Sequence, residues 1–157
     1  MPAATPSKGF IGRGTIVSIG VNGTPETFTA VAQMRTAQFN GQKINFEDIS
    51  NLDSPLVNNT LLKEIMPATA DAGTLDITGI FLPSDQGQLA VAAAYGGGLT
   101  DFTVQLPKGP GQVTKGNSYA FSGYVAEMPI PDVQFDKVVT IKFKIQLQTV
   151  ITPTPGS

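Results

Sequence analysis

Near its end the chain alternates without a break. Val139, Ile141, Phe143, Ile145 and Leu147 fall on one side, and Thr140, Lys142, Lys144, Gln146 and Gln148 on the other. Successive side chains of a strand point to opposite faces, so this order fits an extended segment with one dry and one wet face. At ~3.3 Å per residue, residues 137–150 predict a strand of about 40 Å. Such a strand cannot stand alone and commits the chain to a sheet with something packed against it.

Other segments supply that sheet. Residues 15–21 mix β-branched and small residues, and Asn22-Gly23 is a hairpin turn signal because both residues tolerate positive φ. A second strand is expected over residues 26–34, with Phe28, Ala30, Ala32 and Met34 on one face, and a third over 43–50 after the Asn40-Gly41 turn. Further strands are expected over 73–82, 100–106 and 119–128, the first of these with Leu75, Ile77, Gly79 and Phe81 aligned. Residues 107–116 read as a flexible loop, Pro129-Ile130-Pro131-Asp132 as a break in the sheet, and residues 151–157 as a frayed tail.

One helix is expected, over residues 85–95. Asp85 and Gln88 have capping-box spacing, Leu89, Ala92 and Ala93, with Tyr95 at its end, form the expected buried stripe, and Gly96-Gly97-Gly98 ends it. Residues 51–70 show no sustained period and contain Pro55 and Pro67. They read as a long loop in which Leu61, Leu62 and Ile65 make one apolar turn of helix, and so long a loop is usually functional. The fold class that follows is mainly β, an antiparallel sandwich or open barrel with one helix packed outside. The expected organisation is an arm over residues 1–12, a single domain over 13–150 holding the 51–70 interaction loop, and a tail over 151–157.

The chain has 157 residues, enough for one sizeable core, and neither cysteine nor histidine. Disulfides, thiolate nucleophiles, the commonest zinc ligands and the usual acid–base side chain are therefore missing. No apolar run approaches the roughly 20 residues of a membrane span, and the start MPAATPSKGF lacks a secretory pattern. No membrane insertion is expected, and cytoplasmic synthesis is. The two glycine-rich stretches, residues 9–14 and 109–116, lack the strand–loop–helix setting and residue order of a phosphate loop. The neighbouring acids Glu47 and Asp48 point to opposite faces of a strand, which argues against an acid–base pair. Asn22-Gly23-Thr24 and Asn58-Asn59-Thr60 match the glycosylation pattern by chance, given no secretory signal. No catalytic, cofactor or metal site is expected, and the chain does not read as an enzyme.

Charge is uneven. Between Asn45 and Asp101 lie Glu47, Asp48, Asp53, Glu64, Asp71, Asp76, Asp85 and Asp101 against Lys63 alone, while the other nine of the ten basic residues lie in the flanks. One reading is solvated surface charge; the sharper one is complementary faces on neighbouring copies, which would orient assembly.

The order of elements carries a resemblance. Phe28-Thr29-Ala30-Val31-Ala32 after the first hairpin, Asp48-Ile49-Ser50 with Asp53-Ser54-Pro55, Asp71-Ala72-Gly73, the helix, Asp101-Phe102, Phe121-Ser122-Gly123-Tyr124-Val125 and the long final strand together resemble the major tail tube proteins of long-tailed bacteriophages. The resemblance implies hexameric rings stacked into a hollow tube, with strands of every subunit joined in one inner β-barrel. It implies, as partners, further copies of the chain, a tail-tip initiator, a tape-measure protein and a tail terminator. Double-stranded DNA would pass through the lumen without specific binding, and the chain would reside in the virion tail.

Under that resemblance, Asp53, Ser54, Pro55, Leu61, Leu62 and Ile65 form an inter-ring loop, and Thr27, Thr29, Gln33 and Glu47 face the lumen. A neutral or acidic lining follows from the need not to hold phosphate, since each basic contact adds counterion-release affinity. Lys142 and Lys144 should then lie away from the lumen or pair with acids of a neighbour. Alternatives are the tube of a contractile injection system, which shares the fold, and a monomeric β-sandwich binding module, against which the absence of tryptophan counts. A two-carboxylate glycosidase ranks last.

Overall fold

The structure is a computed structural model and describes residues 9–21 and 26–157; the first eight residues and the Asn22-Gly23 turn lie outside the described residues. In chain order the elements are β1 (Ile16–Val21), β2 (Thr27–Val31), β3 (Met34–Asn40), β4 (Lys43–Asp48), β5 (Leu56–Val57), β6 (Thr60–Leu61), β7 (Ile65–Asp71), β8 (Thr74–Ile80), α1 (Gln86–Ala94), β9 (Thr100–Gln105), β10 (Ser118–Val125), β11 (Ile130–Asp132), β12 (Thr140–Leu147) and β13 (Thr152–Thr154). The main sheet is antiparallel in the order β2-β1-β9-β10-β12-β8-β3, with β11 added to β12 and β13 to β10.

The two edges of this sheet, β2 and β3, are consecutive in the chain and separated only by Ala32 and Gln33. So short a link forces the sheet to curl until its edges approach, which makes an open barrel around one core. Gln33 turns the corner with φ 60°. Because β2 and β3 do not pair with each other, the barrel stays open and both edges keep unpaired backbone groups.

The alternation of β12 is fully realised. Ile141, Phe143, Ile145 and Leu147 are buried beside Leu75 and Ile77 of β8, and Phe102 and Phe121 stack with ring centroids 5.7 Å apart. Phe39 of β3 meets Phe121 edge-to-face at 5.6 Å, fixing the far edge to the core. The strand spans eight residues, ~27 Å rather than about 40 Å. It ends because Gln148 and Thr149 bend and donate their N–H groups to the Ser122 carbonyl.

Several expectations need correction. Residues 26–34 form two elements joined by the corner at Gln33, and residues 35–40, unassigned in the sequence, are the rest of edge strand β3. On β2 the face that carries Phe28 and Ala30 is exposed, and the other is turned to the core through Val31, which pairs with Val17 and is buried. In α1 the buried residues are Gly87, Gln88 and Val91, with Ala90 and Ala94 against the core. Leu89, Ala92, Ala93 and Tyr95 face outward. The helix is set by its start, where Gly87 lies so close to β2 that a Cβ would stand 2.6 Å from Val31 Cα. Residues 130–132 add a strand to β12 instead of breaking the sheet, and residues 152–154 pair with β10 instead of fraying.

Asp85 caps the helix, accepting the Gln88 N–H at 2.9 Å, and also accepts the Ala32 N–H at 3.2 Å. Gln88 does not complete the box. Its buried amide accepts from Leu82 N at 3.0 Å and donates to the carbonyls of Ile80 at 2.9 Å and Ala32 at 3.2 Å. These two polar side chains bolt the helix to the corner where the sheet edges meet.

Candidate assembly surfaces

Beyond Gly41 and Gly73, both at positive φ, β3 and β8 hand over to β4 and β7. The pairing Asn40↔Thr74 is followed by Lys43↔Asp71, so the same two segments leave the main sheet and continue as a two-stranded arm over residues 42–71. The chain expected to be an irregular loop with a turn of helix at Leu61, Leu62 and Ile65 is thus β structure out to its tip. There, β5 and β6 form a hairpin whose two central residues, Asn58 and Asn59, have φ of 51° and 62°. Positive φ at both positions is the type I′ arrangement that matches strand twist, which gives the Asn-Asn pair its structural role.

The arm is built inside out. Every residue of β4 and β7 is exposed. Ser54 is buried: its hydroxyl donates to Glu64 Oε2 at 2.8 Å and accepts from Asn51 N at 2.9 Å. Ser50 Oγ accepts the Glu64 N–H at 2.7 Å, Asn51 Oδ1 accepts Asp53 N, and the Pro55 carbonyl accepts Leu62 N at 2.7 Å. Asp48 Oδ1 accepts Ser50 N at 2.9 Å. The Ser50 hydroxyl and backbone N–H hold the Asp48 carboxyl below its ordinary value, with Lys63 adding to the effect.

Polar groups therefore satisfy one another within the tip while large apolar side chains face water. Ile44, Phe46, Leu56, Val57, Leu61, Leu62, Ile65 and Met66 are all about half exposed or more, and Leu52 is 99% exposed. A two-stranded ribbon with no face on a core is marginal in water, and so many exposed apolar side chains on one short segment mark an interaction site.

The structure brings the expected inter-ring residues Asp53, Ser54, Pro55, Leu61, Leu62 and Ile65 together in the outer part of this arm. Sequence reading missed Ile44, Phe46, Leu52, Leu56 and Met66, although the apolar density between Gly41 and Gly73 was a signal for them. The residues expected to face a lumen are spread over three elements. Thr27 and Thr29 lie on β2, on the same side as Val31; Gln33 is at the corner; Glu47 is on the arm opposite Met66. A second exposed apolar segment, also missed, carries Val133, Phe135 and Val138 between β11 and β12.

On the outward face of the main sheet, Lys144 lies 3.7 Å from both Asp76 and Glu127. Its acidic partners are in the same chain instead of a neighbour, because β12 pairs with β8 in a register that sets Lys144 opposite Asp76. Asp76 also accepts from Asn40 Nδ2 at 2.8 Å. At the other edge, Glu26 is raised above its ordinary carboxyl value by desolvation, by the charge of Asp101 and by a hydrogen bond to it. Asp101 accepts in turn from the Ser122 hydroxyl.

A cleft of about 970 Å³ opens along the inner side of β3, lined by Met34, Ala37, Phe39, Val104, Leu106 and Ile151. Its charged lining residues are Arg13 and Arg35. Among the described residues, no His, Cys, Asp and Glu cluster could hold a metal ion, and no helix is long and apolar enough to cross a membrane.

No family model matches the sequence, and no curated protein matches it. Solved structures do match the shape. The tail tube of SPP1 superposes with a TM-score of 0.62 at 13% identity, covering 95% of this chain and 80% of that one. The tail of an empty GTA particle, determined with C6 symmetry, gives 0.61 at 13% identity over 88% and 95% of the two chains. The sheath/tube terminator of the extracellular contractile injection system PVC gives 0.64 at 10% identity over 96% and 99%. The fold is that of tail tube proteins. The tail tube fold accounts for most of the chain, from the curled sheet and its single helix to the arm, and identities this low leave the sequence of the arm as this protein's own.

Proposed function

We propose that this chain is the major subunit of a phage tail tube, a structural and non-enzymatic protein that assembles into stacked hexameric rings. The lumen so formed conducts double-stranded DNA out of the virion without binding it specifically. The observation that carries this reading is the inside-out arm, which spends its polar groups on its own backbone and offers its apolar side chains to a partner. The open edges β2 and β3 support it as well, since pairing between copies would satisfy their free backbone groups and close a ring. Assembly of this kind also calls for a tail-tip initiator, a tape-measure protein and a terminator. Negative-stain electron microscopy of the concentrated protein tests the reading. Hollow rods are expected, and protein that stays monomeric even with a tail-tip complex added would refute it.

A second reading, the tube of a contractile injection system, is favoured by the likeness to the injection-system terminator, which is as strong as that to the phage tail. Isolation of the rods from their native particle separates the two, because a contractile tube comes with a surrounding sheath.

A further inference from the structure

We propose that the cleft along β3 is the receptor for the arm tip of a second copy of this chain, with Leu52 entering the cleft and the acids around it meeting Arg13 and Arg35. The proposal rests on the tube reading and specifies one of its contacts.

Three observations join the two surfaces. The cleft is apolar at its base, through Met34, Phe39, Val104 and Ile151, and its lining has two arginines and no acid. Arg35 is the extra residue of a β-bulge between Met34 and Thr36, a device that re-aims a side chain at a sheet edge. Among the described residues, neither arginine has a carboxylate within 4.0 Å, the ion pairs there being those of Lys144.

The arm tip has the complementary character. Residues 47–64 hold Glu47, Asp48, Asp53 and Glu64 against Lys63, and Leu52 is the most exposed aliphatic side chain next to one of those acids. Potentials of opposite sign on two apolar surfaces set register and orientation as well as encounter rate.

Geometry excludes the chain's own tip. The cleft is lined by the Met34–Phe39 part of β3, and the arm leaves from the Asn40 end, continuing away from it. From Lys43 to Asp48 the arm extends ~17 Å at about 3.3 Å per residue, and Leu52 lies in the turn beyond that end. That length carries Leu52 out from its own body and toward a neighbour.

The absence of cysteine makes the test direct. Protein carrying Leu52→Cys is mixed with protein carrying Ala37→Cys, assembled, and treated with a short bis-maleimide. A covalent dimer of the unlike variants is expected, with none from Leu52→Cys mixed with Tyr124→Cys on the outward face of β10. Rods that form without the 52–37 link overturn the docking and leave the tube reading standing; absence of both rods and link removes the two together. In a chain carrying both Leu52→Cys and Ala37→Cys, a link confined within single chains also overturns it. As a second arm, Arg13→Glu with Arg35→Glu should raise the concentration needed for assembly at least about tenfold while the circular dichroism of the monomer is unchanged. An unchanged assembly concentration overturns the proposal.

Discussion

Replacing Gln88 by leucine removes the bolt between helix and corner while keeping nearly the same volume. Gln88 is 4% exposed, and its amide makes three hydrogen bonds: one accepted from Leu82 N and two donated to the carbonyls of Ile80 and Ala32. Leucine leaves one N–H orphaned at about 1–3 kcal/mol and weakens two carbonyls at about 1 kcal/mol each, a carbonyl having a second lone pair. The sum is about 3–5 kcal/mol, a large part of the stability of an ordinary domain. With a urea dependence of roughly 2 kcal/mol per M, the midpoint should fall by about 1.5–2.5 M. Urea titration followed by circular dichroism measures it. A fall below about 0.5 M would refute the reasoning and show that water or relaxation satisfies the corner without Gln88.

Other perturbations separate folding from assembly. Gly87→Ala should destabilise by about 2 kcal/mol or more in calorimetry, despite the better helix propensity of alanine, because its Cβ would collide with Ala30 O and Val31 Cα. Glu26 has a raised carboxyl in the folded state, so the stability tied to it is complete below its ordinary value and is lost as pH rises through the folded one. Glu26→Gln should therefore flatten the loss of melting temperature as pH rises from the ordinary carboxyl range. Asp48 runs the other way: its lowered carboxyl contributes above its unfolded value, and that contribution disappears as pH falls through the folded one. Protection of the arm amides, taken relative to the intrinsic exchange rate at each pH, should fall on acidification in the native chain and lose that pH dependence in Asp48→Asn. Lys144→Met should cost less than about 1 kcal/mol, because both of its ion pairs are partly exposed.

The sequence made the sheet readable where one face meets the core. Ile141 to Leu147 alternate cleanly because β12 has a dry side and a wet side, and Leu75 and Ile77 do so for the same reason. Where that contrast is missing, periodicity has nothing to report. In β2 the choice lay between Phe28 with Ala30 and Thr29 with Val31, and pairing with β1 buried the second set. In α1 the sequence QGQLAVAAA is small or apolar nearly all round, so its rotation was decided by the close approach of Gly87 and the bonds of Gln88. Residues 43–50 of the arm read as a strand, but residues 51–70 read as a loop because neither face of β7 is buried. The strands of the arm are held by pairing alone, and Ser50, Ser54 and Glu64 knot its tip. Residues 152–154 were hidden by Pro153 and Pro155, which an edge position tolerates.

The account turns on an arm that is shaped in the free chain and completed by a partner. Hydrogen–deuterium exchange, compared between the free subunit and assembled rods, measures that directly. Amides of residues 42–71 should exchange fast in the free subunit and become protected by at least about a hundredfold on assembly, while those of β8 and β12 change little. Equal protection of the arm in both states would contradict it.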